Sequence, residues 1–300
     1  EIIAGANWNV MKVHLVDGTY ELFRAHFGQP ERLAPDGMHV SAVRGLITTL
    51  VSLLNEPDVT HIAVAFDSSI KSFRNDLLPT YKDGSDTPPE LEMQFPLAER
   101  AVNALGILSW PMHEFEADDA LASAALLYSS QDNVEQVIIC SPDKDLCQMV
   151  DGDTIVCLDR KNNVILNETG VFDKFGVLPA SIPDYLGLVG DAADNIPGIP
   201  KWGTKSSSIL LYRYGWIEEI PISHELWDVS VRGAASLSSS LESNRSNAYL
   251  YREIATVHKK VSVNKSVSEL EWQGASKTLF PALCRELGLG NLSTRPRRWQ

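Results

Sequence analysis

The stretch Phe115-Glu116-Ala117-Asp118-Asp119-Ala120-Leu121-Ala122 constrains this chain more than any other. Three carboxylates fall within four residues, at the opening of an otherwise small and apolar run from Ala117 to Tyr128. Alanine and leucine dominate the run, which predicts a buried helix. One acid in a first turn is ordinary capping, favoured by the helix dipole. Three exceed what a cap needs. Packed against further carboxylates they would repel or take up protons unless a cation neutralised them.

Further acids arrive in a pattern. Val10 to Val16 reads as a strand ending at Asp17-Gly18, His61 to Phe66 as a strand ending at Asp67, and Val134 to Cys140 as one leading to Asp143-Lys144-Asp145. Helical spacing separates them, over Tyr20 to Phe27 and Val40 to Leu54. The alternation predicts a parallel, doubly wound α/β sheet whose site lies beyond the carboxyl ends of the strands. Further sheet is expected at Thr154 to Leu158 and Val164 to Leu166. Gly190-Asp191-Ala192-Ala193-Asp194-Asn195 adds two acids three apart, which on a helical turn share a face. Asp17, Asp67, Glu116, Asp118, Asp119, Asp143, Asp145, Asp191 and Asp194 make nine carboxylates with no histidine or cysteine at ligand spacing. All-oxygen donors indicate a hard cation, Mg²⁺ or Mn²⁺, rather than zinc. Nine acids exceed the needs of one octahedral ion. Two ions roughly 4 Å apart would use them, one favouring an attacking hydroxide and one the leaving oxygen of a phosphodiester.

Composition qualifies that reading. The net charge of −13 argues against a polyanion partner. With the nine candidate ligands set aside it is still −4, 26 basic against 30 acidic residues, so any grip on nucleic acid must come from local basic patches. Apolar runs fall well short of the roughly 20 residues that span a bilayer, so no membrane role is expected. Cys140, Cys147, Cys157 and Cys284 form no CxxC pair and read as reduced core thiols of an intracellular protein.

Between Asp67 and Glu116, the polar segment Lys71 to Pro111 carries Tyr81-Lys82-Asp83-Gly84-Ser85 and a Pro88-Pro89 break before helical spacing resumes at Leu91 to Leu105. It is either a mobile lid beside the site or an ordinary long connection. The character changes near Pro179: short helices are expected at Ile182 to Leu188, Lys205 to Tyr214 and Asn247 to Val257, with Ser236 to Ser240 a loop or weak helix between them. Gly198-Ile199-Pro200-Lys201-Trp202-Gly203-Thr204-Lys205 is a glycine-bounded turn opening a helix. It can offer backbone N–H groups to a phosphate, with Lys201 and Lys205 adding charge. A plain helix–helix turn explains it nearly as well. The tail Arg295-Pro296-Arg297-Arg298 is expected to be a frayed, solvated end rather than a binding arm.

Taken in order, Val16-Asp17-Gly18, Phe66-Asp67, Ser72-Phe73-Arg74, Tyr81-Lys82, Glu116-Ala117-Asp118-Asp119, Asp143-Lys144-Asp145 and Gly190 to Gly198 resemble the 5′→3′ exonuclease/flap endonuclease family, from about Met11 to Val263. Its members include the N-terminal nuclease domain of bacterial DNA polymerase I, stand-alone bacterial and phage enzymes, and plant organellar exonucleases. The resemblance implies a PIN-like α/β nuclease domain over 11–178 with a helical arch at about 71–111. A helix-three-turn-helix (SAM-like) DNA-binding domain would follow over 179–265, and an extension over 266–300. It implies a first metal ringed by Asp17, Asp67, Glu116 and Asp118, and a second by Asp143, Asp145, Asp191 and Asp194, with Asp119 close by. Arg74 and Lys82 would contact the scissile phosphate, Tyr81 would position the unpaired 5′ end, and Arg24 would join the DNA contacts. Gly198, Lys201, Gly203 and Lys205 would meet the backbone of the unbroken strand, with K⁺ held by turn carbonyls.

The sequence departs from the family pattern at Ser85, where an arginine is common, at Lys201-Trp202, where a small Gly-Ile pair is usual, and at Phe23, where tyrosine is common. Lys201-Trp202 would raise phosphate affinity or stack on a sugar. The resulting expectation is a metal-dependent, structure-selective 5′-nuclease and flap endonuclease of replication and repair, resembling a stand-alone, monomeric form. Its substrates would be DNA with a 5′ flap, nick, gap or overhang, with RNA–DNA hybrid a further candidate. Two alternatives stay open: a junction-binding module of the same fold that does not cut, and a PIN-type single-strand endoribonuclease. The chain starts at Glu1 with its first methionine at Met11, so residues 1–10 read as a remnant of processing or cloning. A removed transit peptide would place the protein in a mitochondrion or chloroplast; otherwise a bacterial cytoplasm is expected.

Overall fold

The computed structural model describes residues 11–69, 71–82, 84–85 and 87–300; the expectation for residues 1–10 lies outside them. In chain order the elements are β1 (Met11–Asp17), α1 (Gly18–Gly28), α2 (Ser41–Leu54), β2 (His61–Asp67), α3 (Arg74–Leu77), α4 (Pro89–Glu92), α5 (Phe95–Ala104), β3 (Leu108–Met112), α6 (Ala117–Ser129), β4 (Val134–Cys140), β5 (Ile155–Asp159) and β6 (Val164–Leu166). α7 (Glu168–Phe175), α8 (Ile182–Val189), α9 (Thr204–Tyr214), α10 (Ala234–Ala255) and α11 (Leu279–Glu286) complete the chain.

Apolar, β-branched runs that are buried on both faces make the central strands, as a parallel sheet requires. The six-stranded sheet has the order β3-β2-β1-β4-β5-β6. All neighbours pair parallel except β6, which returns antiparallel to β5. Strand order therefore reverses at β1. The crevice for a ligand opens beyond the carboxyl ends of β1, β2 and β4. Successive residues face opposite layers. Val13, Leu15, Ala63, Ala65, Val137 and Ile139 join α6 and the helical part of the chain in one core. Val16, Val64, Phe66, Ile138 and Cys140 join α2, α5 and α11 in the other.

α6 earns its place through small residues. Ala117, Ala120, Ala122, Ala124 and Ala125 are all buried, so the helix lies close to the sheet and its N-terminus points at the crevice. The helical part packs α8 against α10 and α9, with Leu186, Leu188, Leu210, Leu211, Leu237 and Leu241 buried in the same core as α6.

The structure fills in three stretches that the sequence left open or misjudged. Within residues 71–111, α5 buries Leu97, Ala98, Ala101 and Val102, and β3 is an edge strand of the sheet, so this part is ordinary packed connection. Pro111 is tolerated in β3 because the outer side of an edge strand needs no amide donor. Ser236 to Ser240 is not a loop but the first half of a 22-residue helix, kinked at Asn244. The basic tail is not frayed. Arg297 donates to the carbonyls of Leu54 and Val59, Arg298 donates to that of Trp272, and the Gln300 amide donates to Ala275 O at 2.9 Å.

Candidate metal centre and nucleic-acid interface

Each strand end delivers an acid, and local chemistry fixes where it points. Asp17 is the N-cap of α1: its Oδ1 accepts from the Tyr20 amide at 2.8 Å and its Oδ2 from the Ser141 hydroxyl at 2.9 Å. Burial pushes its carboxyl up to about 7; those hydrogen bonds oppose the shift, and Asp67 and Asp143 add to it. Asp67 Oδ1 accepts from the Ala117 amide at 2.6 Å, so the first turn of α6 is aimed at the end of β2. Its carboxyl too is raised, by burial and then by Glu116.

Glu116 caps α6 in a reciprocal box with Asp119. Its Oε1 accepts from the Ser72 hydroxyl at 2.6 Å and its Oε2 from the Tyr81 hydroxyl at 3.1 Å. Lys82 Nζ bridges Glu116 Oε2 at 3.0 Å and Asp194 Oδ1 at 3.2 Å, its side chain 37 % exposed. Glu116 is held below the usual carboxylate range: burial opposes this, but Lys82 and Arg74 prevail. The same acids lift the Lys82 ammonium well above its ordinary value against the pull of its own burial. Asp118 is raised well above the usual carboxylate value, by burial and then by Asp143 and Asp17.

The second group is tighter. Asp145, Asp191 and Asp194, all buried, each bring a carboxylate oxygen within 4.8 Å of the others. Asp145 stands at the start of a 3-10 turn, and its amide donates to Asp143 Oδ1 at 2.9 Å. Asp191 and Asp194 share a tight loop closed by paired backbone bonds between Asp191 and Ile196, 2.8 Å each way. That loop leans on the hairpin behind it. Gly198, at φ +71°, lies so close to Val189 and Gly190 that a Cβ there would meet backbone atoms at 2.6 Å. Burial and then Asp143 raise Asp145; burial raises Asp194. Asp145 Oδ1 is buried with no hydrogen-bond partner. A buried cluster of neighbouring carboxylates, one oxygen orphaned, fits a hard divalent cation bound by oxygen.

Not every expected residue reaches this crevice. Arg74 is 3 % exposed and is not presented to a phosphate. Its guanidinium forms a fork on Asp119, at 2.8 and 2.7 Å, and also donates to Ile254 O and Thr256 O, with Glu116 Oε1 3.4 Å away. Asp119, fully buried, holds Arg74 and accepts from the His258 amide at 2.7 Å. The pair joins the first turn of α6 to the end of α10, a connection that sequence adjacency to Glu116 could not show. Tyr81 is buried, its ring in the core and its hydroxyl on Glu116. Trp202 is buried too, and its indole donates to Leu237 O at 3.1 Å. It anchors the hairpin instead of meeting a sugar. Arg24 pairs with Glu21 and donates to Thr49 Oγ1 at 2.8 Å. Lys201, Gly203 and Lys205 are exposed, with Gly203 the N-cap of α9.

Three residues of this region lie outside the acid pattern and were not expected. Ser72 and Ser141 orient Glu116 and Asp17, and Lys144 pairs with Asp191. The adjacency of Ser72 to Phe73-Arg74, and of Ser141 and Lys144 to Asp143, was the only available signal.

A parallel sheet gathers buried acids at its carboxyl edge, with a helical appendage beside them, an arrangement suited to holding hard divalent cations. The chain belongs to the 5′-3′ exonuclease family: residues 12–176 match the model of its N-terminal resolvase-like domain and residues 177–278 that of its C-terminal SAM fold. Among curated relatives, DNA polymerase I of Bacillus subtilis (strain 168) is 33 % identical over 288 residues, covering 95 % of this chain and 32 % of that protein. DNA polymerase I of Pseudomonas aeruginosa is 33 % identical over 286 residues, 92 % of this chain and 30 % of that protein. The chain thus spans about a third of the length of these relatives. Among solved structures, the bacteriophage T5 flap endonuclease in a pseudo-enzyme-product complex with DNA and metal ions shares the fold, with TM-score 0.65 at 16 % identity over 94 % of this chain and 96 % of that one. The catalytic core of Rad2 in complex with DNA substrate does so with TM-score 0.62 at 12 % identity, over 95 % and 90 %. Among the described residues no helix is long and apolar enough to cross a membrane.

Proposed function

We propose that this chain cuts DNA near a 5′ end, at flaps, nicks, gaps or overhangs, selecting by shape, with two Mg²⁺ (or Mn²⁺) in the acid crevice. The observation that carries the reading is the convergence of Asp145, Asp191 and Asp194 to within 4.8 Å around an orphaned buried oxygen. Asp143, Asp145, Asp191 and Asp194 would hold one ion, and Asp17, Asp67, Glu116 and Asp118 the other. Bound there, the ions lower the pKa of the attacking water and offset charge on the leaving oxygen.

The chain's own groups do the rest. Lys82, half-buried and shared between the two acid groups, can leave Glu116 and Asp194 for a phosphate once their charge is neutralised, and would offset charge growing in the transition state. Arg74 and Asp119 hold the first turn of α6 so that Glu116 and Asp118 face the crevice. Lys201, Lys205 and the first amides of α9, whose cap Gly203 has no side chain to spend on them, suit the phosphates of an unbroken strand. Selection by shape is favoured because these groups address backbone rather than base edges. K⁺ at the hairpin belongs to the same reading. There Ile199 O already accepts from Trp202 and Pro200 O from Ser240, so other turn carbonyls would hold it. The reading extends to RNA annealed to DNA and to a monomeric enzyme. The relatives named above are bacterial, which supports a bacterial rather than an organellar setting.

A 5′-labelled flap incubated with protein and Mg²⁺, against protein with chelator, tests this. Cleavage near the junction only with metal is expected. Binding without cleavage would favour a non-cutting junction module, and preferential cleavage of unstructured RNA a single-strand endoribonuclease.

A further inference from the structure

α10 touches the candidate duplex hairpin at one end and the acid crevice at the other. Near its start, Leu237 O accepts from the Trp202 indole and Ser240 donates to Pro200 O. In its second half it lies against α8 at Gly187, where a Cβ would meet Arg252 N at 2.9 Å and Ala248 O at 3.0 Å. α8 runs directly into Gly190 and the loop bearing Asp191 and Asp194.

At the far end stands Gln148. Its Nε2 donates to Asp145 O at 2.7 Å and to Ala255 O at 2.9 Å, and its Oε1 accepts from the Val257 amide at 3.1 Å. One buried amide therefore spends both its hydrogens and its oxygen on tying the Asp145 turn to the end of α10. Leu237 and Ala255 are about 27 Å apart along a helix rising 1.5 Å per residue, so the two attachments are remote.

The geometry points to Gln148 as a positioning residue for the second metal site, and to α10 as the strut through which seating a duplex on the hairpin sets Asp145, Asp191 and Asp194. This rests on the proposed reading of the hairpin and crevice. Asp145 Oδ1 has no protein donor. Its placement is therefore set through its own main chain, which Gln148 holds. Asp191 and Asp194 follow α8, which α10 clamps. All three ligands answer to one helix, whose other end carries the DNA-facing turn.

The test uses Gln148→Met, which keeps length and loses all three bonds, and Trp202→Phe, which keeps the ring and loses the indole donor. Mn²⁺ binding is measured by calorimetry without DNA, and the Mn²⁺ concentration for half-maximal single-turnover cleavage with flap DNA. Gln148→Met is expected to weaken Mn²⁺ binding about tenfold and to raise the half-maximal concentration as much, with the KM for DNA within twofold. Trp202→Phe is expected to raise that concentration about threefold while leaving Mn²⁺ binding without DNA unchanged, and the effect should vanish in the Gln148→Met background. Independent sites this far apart would simply add. Unchanged Mn²⁺ binding in folded Gln148→Met overturns the positioning role. Additive effects, or a Trp202→Phe that raises only KM, overturn the strut. If Gln148→Met does not fold, the two Trp202→Phe measurements decide alone. Failure of the unaltered protein to cut would overturn the proposed function instead, and the calorimetric result would still stand.

Discussion

The two halves of the acid crevice differ in how completely protein donors meet their oxygens. Around Asp17, Asp67 and Glu116, carboxylate oxygens are met by protein donors: the amides of Tyr20 and Ala117, the hydroxyls of Ser141, Ser72 and Tyr81, and the ammonium of Lys82. Around Asp145, Asp191 and Asp194 three acids crowd together; Asp191 is met by Lys144 and the Ala193 amide and Asp194 by Lys82, but Asp145 Oδ1 faces no donor. In the first half helix N-termini and hydrogen bonds fix more of the oxygens, although burial still raises Asp17, Asp67 and Asp118. In the second the orphaned Asp145 oxygen leaves the place that a cation would complete. Preorganised charge costs no reorganisation when the reaction comes, whereas a half completed by metal can respond to what else is bound.

The largest expected effect breaks this contrast at its weaker side. Asp143→Ala with Asp145→Ala should lower single-turnover cleavage by 10³-fold or more while flap binding stays within about tenfold; cutting retained at the ordinary rate would refute the second-metal assignment. Arg74→Ala tests the stronger side. It leaves fully buried Asp119 unpaired and should cost about 3–5 kcal/mol in denaturant unfolding, the usual penalty for halving a buried pair. A change under about 1 kcal/mol would show the fork to be dispensable. Lys82→Ala should slow cleavage about 10²-fold, a size typical of losing one stabilising charge, and slow it more than it weakens DNA binding. Equal losses would remove it from the transition state.

The sequence foretold the first half of the comparison better than the second. Strands that end on Asp17 and Asp67, and a helix opening on Glu116, announce an acid crevice because side-chain periodicity and caps are local signals. What was illegible was non-local. Arg74 reads as a phosphate contact beside Ser72-Phe73, yet its partners Ile254 and Thr256 lie some 180 positions on. Trp202 looks free to stack, but its fate depends on Leu237. Ser236 to Ser240 resembles a flexible loop by composition, and tertiary packing against the hairpin overrides that weak propensity. β3 hid inside the supposed lid because five residues with a proline carry little period.

A gentler test compares charge removal on the two sides in chelator. Asp145→Asn removes one of three facing charges and should raise Tm by about 2–4 °C, the equivalent of roughly 1 kcal/mol in a chain this size. Glu116→Gln strips Lys82 and Arg74 of a partner and should lower Tm by a similar amount. The same sign for both would erase the distinction drawn between the halves.

The smallest effect is read through protons. Asp17 titrates near 7 in the folded protein against 3.8 in an unfolded chain, and Asp118, Asp145 and Asp194 are shifted the same way. Between those limits the folded state binds more protons than the unfolded one, so these groups stabilise the metal-free protein most at or below about pH 4. That contribution falls as pH rises through 7. A cation reverses the balance, because the ligands must give up their protons to bind it. The Tm gain from saturating Mg²⁺ should therefore grow steadily from pH 5 to pH 8, and calorimetric titrations at pH 6.5 in buffers of different ionisation enthalpy should report proton release. Ser141→Ala, which removes a hydrogen bond to the charged form of Asp17, should raise the number of protons released by a fraction of one. A gain in Tm that is flat across this range would mean that the acids of both halves are already ionised, their burial offset by the donors around them.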